Sequence, residues 1–519
     1  MIHSSTVVTF VLDIRGTSRD ALTRTLASIA DQRTPSWRCV LLADGAMVDV
    51  ARRAIDETGT AEGQMTTVEV DGGAARALNI GLASATGDFV AVVDPGDLLA
   101  PGVAGALVRE RGADLVYCDE ATIDDLGLLR DRFLKPAWSP ERLRGQDYLR
   151  RLVAYRRELV LQVEGFDENL VSAYEHDLSL KVGEVARAVV HLPEVMYVRC
   201  AGPVTIGAAP DLGDVVDSET WLEGQRVVEA HMRRLRLDCE VSLGSVPGTF
   251  AIRRKLDPRT RVSIVIPTRG SAGLIWGERR CYVVEAVRSV LAHTSHQALE
   301  VVVVYDTATP WQVLQELREV AGDKLVLTEY TTPFNFSEKC NVGYLASSGD
   351  VVVMLNDDVE ALSDNFVEQL VAPLEESSVG MTGARLLFPD DTIQHAGHTY
   401  LRGIMDHPCM GTPNGVPGPH GLLTINRETS GLTAACVAVR RETFEAVGGF
   451  SEALPVNFND VDFSLKVRSL GLRNVWLAGV TLYHFESRTR ERTTQPWEPA
   501  LVYGRWDIQG DDRYMPGVD

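Results

Sequence analysis

No stretch of the 519-residue chain reaches the roughly 18–20 consecutive apolar residues that a membrane-spanning helix needs. The first residues, MIHSSTVVTFVLDIRG, carry no basic leader, and their short apolar run is broken at Asp13 and Arg15. They read as a first strand rather than a signal peptide. Basic residues are scarce relative to acidic ones, 51 against 72, for a formal net charge of −21. A surface of that sign repels a phosphate backbone, which argues against a nucleic-acid partner. It leaves room for a nucleotide, which needs only a local positive site or a cation. The eight cysteines are scattered, and the nearest pair, Cys409 and Cys436, stands 27 positions apart. Zinc sites built on cysteine bring thiols within a few positions of each other, so the thiols read as reduced and the location as cytoplasmic. No low-complexity tract is present. The remaining balance, 45% hydrophobic and 24% charged, is that of a globular protein, and the length calls for more than one domain.

The chain does contain a long-period duplication. Asn79-Ile80-Gly81, then Gly87-Asp88, then an apolar run to Asp94, is answered by Asn341-Val342-Gly343, Gly349-Asp350 and a run to Asn356, at a constant offset of 262 (341 minus 79). YRRELVLQVEGFDENL from Tyr155 answers VRRETFEAVGGFSEAL from Val439, at offset 284. EHDLSLK from Glu175 answers DVDFSLK from Asp460, at offset 285. Three matches in order, with small drifts, mean duplicated domains. The second copy carries the extra length around a Gly/Pro-rich stretch, DHPCMGTPNGVPGPHG, from Asp406 to Gly421. Its composition cannot support a helix or a central strand, so a loop is expected, beside the acceptor side of any crevice.

Each copy opens with an apolar strand, VVTFVL or VSIVIP, followed by an amphipathic helix and a strand ending in an acid, Asp44 or Asp306. The Asn-x-Gly helix and a third strand follow. β-Branched runs alternating with helices predict an α/β class with two tandem Rossmann-like domains, each on a mainly parallel sheet. The expected division is 1–205 and 259–490 for the two domains, 206–258 for a helix-and-strand connector, and 491–519 for a tail. Ligands of such sheets bind outside the carboxyl ends of the strands. Asp306 and the Asn356–Asp358 cluster should therefore converge.

The chemistry-bearing candidates follow from that placement. LNDDVE (Leu355 to Glu360) puts carboxylates at a strand end, where one or two of them with diphosphate oxygens can hold Mg²⁺ or Mn²⁺. The alternative is a turn-initiating acid pair. In NDVDFSLK (Asn459 to Lys466), Asp460 suits a general base, while the competing reading is a helix-dipole acid. His484, in LYHFES, is a candidate metal ligand or a structural histidine. Lys339 and Asn341 could meet a diphosphate or simply decorate a helix surface.

Together, VSIVIPTRG, FNFSEKCNVG, LNDDVE, TIQHAGH, SGLTAACVAVRRETFEAVGGF, NDVDFSLK, YHFESRTR and the tail YGRWDIQGDDRY resemble glycosyltransferase family 2, of the GT-A fold. The combination looks like bacterial enzymes that assemble O-antigen, capsular or cell-wall polysaccharide, including rhamnosyl- and galactofuranosyltransferase-like members. The resemblance implies inverting transfer from a nucleotide-diphosphate sugar to a glycan or lipid-linked acceptor. A lipid-linked acceptor in turn implies peripheral contact with the inner membrane face. Carried over by motif, Asp358 falls on the metal-binding Asp and His484 on the late metal or diphosphate ligand. Asp460 falls on the base. Thr268 and Asp306 fall on nucleotide-contacting positions, with Lys339, Asn341 and Asp357 beside them. Asn356 stands where the family motif has its first Asp.

The first copy departs from that pattern. It reads Asp94-Pro95-Gly96-Asp97, so Gly96 replaces the metal-binding carboxylate, and Glu175 replaces the base Asp. Val198 or Arg199 stands in place of the late histidine. The expectation is a degenerate first domain and a working second one. The competing readings are a bifunctional polymerase and a non-catalytic glycan-binding scaffold. A sugar-phosphate nucleotidyltransferase would need a Gly-rich basic loop after the first strand, which PTRGSAG matches poorly.

Overall fold

The computed structural model describes residues 7–124, 127–200, 217–485, 495–510 and 512–516. The expected connector residues 206–216, and residues 486–490 and 491–494 of the motif and tail, lie outside the described residues. The chain divides into two compact units, Met1–Arg236 with Val241–Phe250, and Leu237–Glu240 with Ala251–Asp519. The helix expected between the copies runs over Ser218–Arg234 and belongs to the first unit. No helix among the described residues is long and apolar enough to cross a membrane. Among the described residues the eight cysteines are all free, four of them buried.

The two units carry sheets of one topology. In the second, the strand order is Leu325–Tyr330, Leu299–Asp306, Val262–Thr268, Val351–Leu355, Cys436–Arg440, Val379–Leu387, Arg473–His484, Val359–Ala361. In the first it is Met65–Glu69, Trp37–Ala43, Val8–Asp13, Phe89–Val92, Val153–Arg156, Leu115–Ile123, Val189–Cys200, Leu98–Leu99. The first four strands of each sheet are parallel in the second unit and pair the same way in the first. This is the expected α/β class. The chain leaves Val262–Thr268 toward one edge and returns on its other side, so the order reverses there and opens a crevice at the carboxyl ends.

The parallel strands are buried on both faces. In the second unit Val262, Ile264 and Ile266 pack into one apolar layer and Val265 into the opposite one. Val301 and Val303 alternate with Val302 and Val304 in the same way. That period-two burial on both sides is why these strands read as unbroken β-branched runs.

The Asn-x-Gly repeat has a packing cause in both copies. A methyl group at Gly343 would stand 2.2 Å from Val265 Cγ1, and one at Gly81 2.6 Å from Val11 Cγ1. Only glycine lets the helix Phe336–Ala346 lie against the sheet at that distance. From the same helix, Asn341 clamps the distant turn at Gly449-Phe450.

Candidate active site

In the second unit the strand ends deliver most of the expected residues to the crevice. Thr268 closes the central strand, and its hydroxyl donates to Asp357 Oδ2 at 2.7 Å. Burial, with the Asp358 carboxylate beside it, pushes the Asp357 carboxyl up to about 7. Asp358 looks the other way. The short strand Val359–Ala361 pairs antiparallel with the end of Arg473–His484, Val359 opposite His484. That pairing sets His484 Nε2 3.1 Å from Asp358 Oδ1.

The histidine is held in one orientation from behind. His484 Nδ1 lies 2.6 Å from Gln394 Oε1, so the ring N–H points at Gln394 and the Nε2 lone pair faces the crevice. A lone pair and a carboxylate oxygen at 3.1 Å repel each other unless a proton or a cation lies between them. Asn356 contributes a third group, its Nδ2 lying 3.1 Å from the same His484 Nε2. Asn356 Oδ1 is buried with no hydrogen-bond partner. The Asp358 carboxylate oxygen and the His484 imidazole nitrogen fit two positions on a divalent cation that keeps others for further oxygen ligands, while Asn356 presents its amide nitrogen to the same histidine.

A cavity of about 220 Å³ opens beside these groups, and Asn356, His484, Gln394, His395, Ala434 and Asp460 are among its walls. Asp460 enters it from the first turn of the helix Asn459–Ser469. Its Oδ1 accepts from the Val461 amide at 2.9 Å and its Oδ2 lies 3.4 Å from the Ala434 amide. The second acid of the motif does different work. Asp462 is fully buried and meets Lys466 at 3.4 Å, Arg505 at 3.2 Å and Trp506 Nε1 at 2.9 Å. It ties the helix Trp497–Arg505 to the domain, so the helix-dipole reading suits Asp462 and the cavity-facing reading suits Asp460.

Two of the expected residues, Lys339 and Asn341, make contacts within the fold. Lys339 is 1% exposed, and its ammonium donates to Thr268 O and Asp306 Oδ1, both at 2.7 Å. It joins the ends of two neighbouring strands and orients Asp306. Asn341 is not brought to the crevice. Its Nδ2 donates to Phe450 O and Glu452 Oε1, and its Oδ1 accepts from the Phe450 amide, all at 3.0 Å. Asn79 makes the same set with Phe166 and Glu168 in the first copy. Residues two apart on a helix face away from each other, so Lys339 and Asn341 could not both have faced one ligand.

The profile of Glycosyl transferase family 2 matches residues 15–141 and 263–448, one stretch in each unit and more than half of the chain. The chain belongs to glycosyl transferase family 2. It is 31% identical over 523 residues to the O-antigen biosynthesis protein RfbC of Myxococcus xanthus, covering 98% of this chain and 40% of that protein. It is 28% identical over 539 residues to the uncharacterized protein y4gI of Sinorhizobium fredii (strain NBRC 101917 / NGR234), covering 100% of this chain and 58% of the other. It thus spans about half the length of these relatives. Among solved structures, the S. aureus TarS 1-349 complex with UDP-GlcNAc matches at 18% identity, over 44% of this chain and 66% of that one, with a TM-score of 0.35.

The first glycosyl transferase family 2 stretch is built differently at the matching place. Register fixes the correspondence: Phe89 pairs with Arg156 as Val351 pairs with Arg440, so Arg150 and Arg151 stand where Ala434 and Ala435 stand. Leu98 pairs with Val198 as Glu360 pairs with Tyr483, so Arg199 matches His484. Arg151 reaches between the acids, 3.0 Å from Asp94 and 3.2 Å from Glu175. The space left beside Asp94 is about 20 Å³. A larger cavity, about 280 Å³, has Glu175, Arg199, Trp221 and Phe250 in its walls but not Asp94. Asp177 and Lys181, 2.8 Å apart, repeat the structural pair Asp462 and Lys466.

Some of the crevice escaped the sequence reading. Gln394 lies inside the motif TIQHAGH yet carried no assigned role; its position next to a strand end was the available signal. Trp276 sits on the hairpin Ala272–Ile275 and Glu278–Cys281, half exposed, donating from Nε1 to Glu360 Oε2 at 2.6 Å and packing its ring against Tyr483 and Phe485. Nothing in PTRGSAG announced that hairpin.

Proposed function

We propose that the second unit transfers a sugar from a nucleotide-diphosphate sugar to a hydroxyl of a glycan or lipid-linked acceptor, with inversion. The observation that carries this reading is the 220 Å³ cavity in which Asp460 shares the walls with Asn356 and His484 at the carboxyl edge of the sheet. The membership in glycosyl transferase family 2, and the O-antigen assignment in the name of the M. xanthus relative, favour a cell-surface polysaccharide as the product.

In this reading the Asp460 carboxylate takes the proton of the acceptor hydroxyl as that oxygen attacks the anomeric carbon. The bond from the anomeric carbon to the diphosphate oxygen breaks on the opposite face, and the nucleoside diphosphate leaves with the bonding pair. One displacement inverts the anomeric configuration. The Ala434 and Val461 amides hold the carboxylate in place, at 3.4 and 2.9 Å. Asp358 and His484, with Asn356 beside them, are the residues that would hold Mg²⁺ or Mn²⁺, which when bound neutralises the charge developing on the leaving diphosphate. Thr268, Asp306 and Asp357 line the strand ends where the nucleotide would lie, and Lys339 fixes Asp306 for it.

The first unit, in this reading, is a folded partner without transfer chemistry. Where the second unit offers Ala434, Ala435, Asp358 and His484, the first offers Arg150, Arg151, Gly96 and Arg199. The Arg151 guanidinium already stands between Asp94 and Glu175 and offsets part of their charge, so a cation would have little room and less charge to bind there. A panel of nucleotide sugars with Mn²⁺ or Mg²⁺, read as released nucleoside diphosphate, tests the proposal. Release that depends on a divalent cation and disappears in Asp358→Ala supports it. Full release in excess EDTA from metal-free protein overturns the metal assignment.

A further inference from the structure

Three imidazoles meet on the wall of the Asp460 cavity. His395 ends the strand Ile393–His395. Gly397, at φ +90°, then turns the chain so that His398 comes back toward it. His407 arrives from the start of the Gly/Pro-rich stretch. One ring nitrogen of each lies within 4.8 Å of the others. His395 Nδ1 and His407 Nδ1 are 2.9 Å apart. The rings stand nearly perpendicular, with centroids 4.7–5.0 Å apart. His395 and His398 are 1% and 3% exposed, and His407 is half-buried.

His395 and His407 already share one hydrogen bond, and a cation is a partner that all three rings can share. Burial and the neighbouring imidazoles push His398 down to about 3 and hold His395 well below the usual histidine range, so both rings are neutral lone-pair donors. Neutral imidazoles are the ligands that zinc-class cations prefer, whereas carboxylate, amide oxygen and diphosphate suit Mg²⁺ and Mn²⁺. Two imidazole nitrogens on one tetrahedral zinc, each about 2.0–2.1 Å from it, stand about 3.3–3.4 Å apart. The 2.9 Å separation is within a few tenths of an ångström of that. The amides of Gly397 and Thr433 lie 3.3 Å from His395 Nε2. These long contacts are given up when the ring proton moves to Nε2 and frees Nδ1.

We propose that His395, His398 and His407 bind a zinc-class divalent cation, apart from the cation of Asp358 and His484, and that it pins the Asp406–Gly421 stretch to the cavity wall beside Asp460. The chain supplies the motive for such a pin. Asp406–Gly421 holds only the end of one short strand and one 3₁₀ turn, Pro419–Gly421, and its backbone anchors to Asp391 and Ile393 come from Gly411, Thr412 and Asn414, all beyond His407. Three protein ligands leave a fourth coordination position, and His395 and His407 both line the cavity, so water or an acceptor hydroxyl can complete the shell.

Zinc bound by the full chain decides the matter without reference to transfer. The protein is loaded with Zn²⁺, dialysed against a weak chelator and assayed for metal by mass spectrometry, alongside His398→Ala, His407→Gln and Asp358→Ala. The expected result is about one zinc per chain in the unaltered protein and in Asp358→Ala, with affinity lowered at least tenfold in the two histidine variants. Cobalt in place of zinc should give the visible bands of a tetrahedral site in the first pair only. Limited proteolysis between residues 406 and 421 should slow when zinc is added to the unaltered protein. Absence of bound zinc in the unaltered protein, or zinc that follows Asp358 and ignores the histidines, overturns the proposal in favour of a metal-free hydrogen-bonded triad. Because no sugar donor enters the assay, failure here is separable from failure of the transfer reading.

Discussion

Replacing Gln394 by Leu removes the acceptor of the His484 ring N–H, together with a long 3.4 Å donor contact to His484 O, and keeps most of the volume of a side chain that is 5% exposed. Gln394 Oε1, at 2.6 Å from His484 Nδ1, is what holds the ring proton away from the crevice. Without it the proton can settle on Nε2, where Asp358 Oδ1 at 3.1 Å welcomes it and a cation does not. Partners of this kind, one shell behind a metal ligand, are worth about 10–100-fold in metal affinity, or about 1.4–2.8 kcal/mol. The assay is the initial rate of nucleoside diphosphate release against Mn²⁺ concentration. Gln394→Leu should raise the half-saturating Mn²⁺ concentration by about that factor while the rate at saturating metal falls much less. Gln394→Glu retains an acceptor oxygen and should lie close to the unaltered enzyme. An unchanged Mn²⁺ curve in Gln394→Leu, with Asp358→Ala still inactive, would refute the claim that this contact orients a metal ligand.

Asn341→Ala should leave donor affinity alone and lower stability by about 1–3 kcal/mol, because the Phe450 amide loses its acceptor inside a packed turn; thermal denaturation and donor titration separate the two. In the first unit, burial raises the Glu223 carboxyl, but bonds from the Val171, Ser172 and Ala173 amides and the Ser172 hydroxyl outweigh it and hold the group at about 2. Since the folded value lies below the usual 4.5, this stabilisation is complete above about pH 4.5 and is lost as pH falls toward 2. Glu223→Gln should therefore cost about 1.5–3 kcal/mol at neutral pH and flatten the acid limb of a stability-against-pH curve.

The sheet was open to a sequence reading because each parallel strand is buried on two faces and so cannot hide its β-branched run. The repeat was legible for a related reason: Gly81 and Gly343 sit where no side chain fits, and Asn79 and Asn341 satisfy a turn that both copies share. The repeat marks shared packing more than shared chemistry. Asn79 and Asn341, kept in both copies, clamp the same turn, and the copies differ where the cavity does, at Ala434 and Ala435 against Arg150 and Arg151. Alanines carry no chemical signal in a sequence; their meaning is the space they leave. Lys339 could be placed near the strand ends but not given its partners, since a buried lysine and a ligand-binding one look alike until the acid beside it is seen. The histidine triad depends on a loop closing back over about ten residues, and no periodicity encodes that.

The central claim is that one of two similar folds does the chemistry, with Asp460 as its base. Turnover of Asp460→Asn and of Glu175→Gln, measured with the same donor and acceptor under saturating Mn²⁺, tests it most directly. Asp460→Asn keeps shape and removes the proton acceptor, so turnover should fall by roughly 10²–10⁴ while donor binding persists. Glu175→Gln should leave the chemical step nearly intact, because Arg151 already occupies that carboxylate at 3.2 Å. Residual transfer in Asp460→Asn that disappears when Glu175→Gln is added would contradict the account and make both domains catalytic.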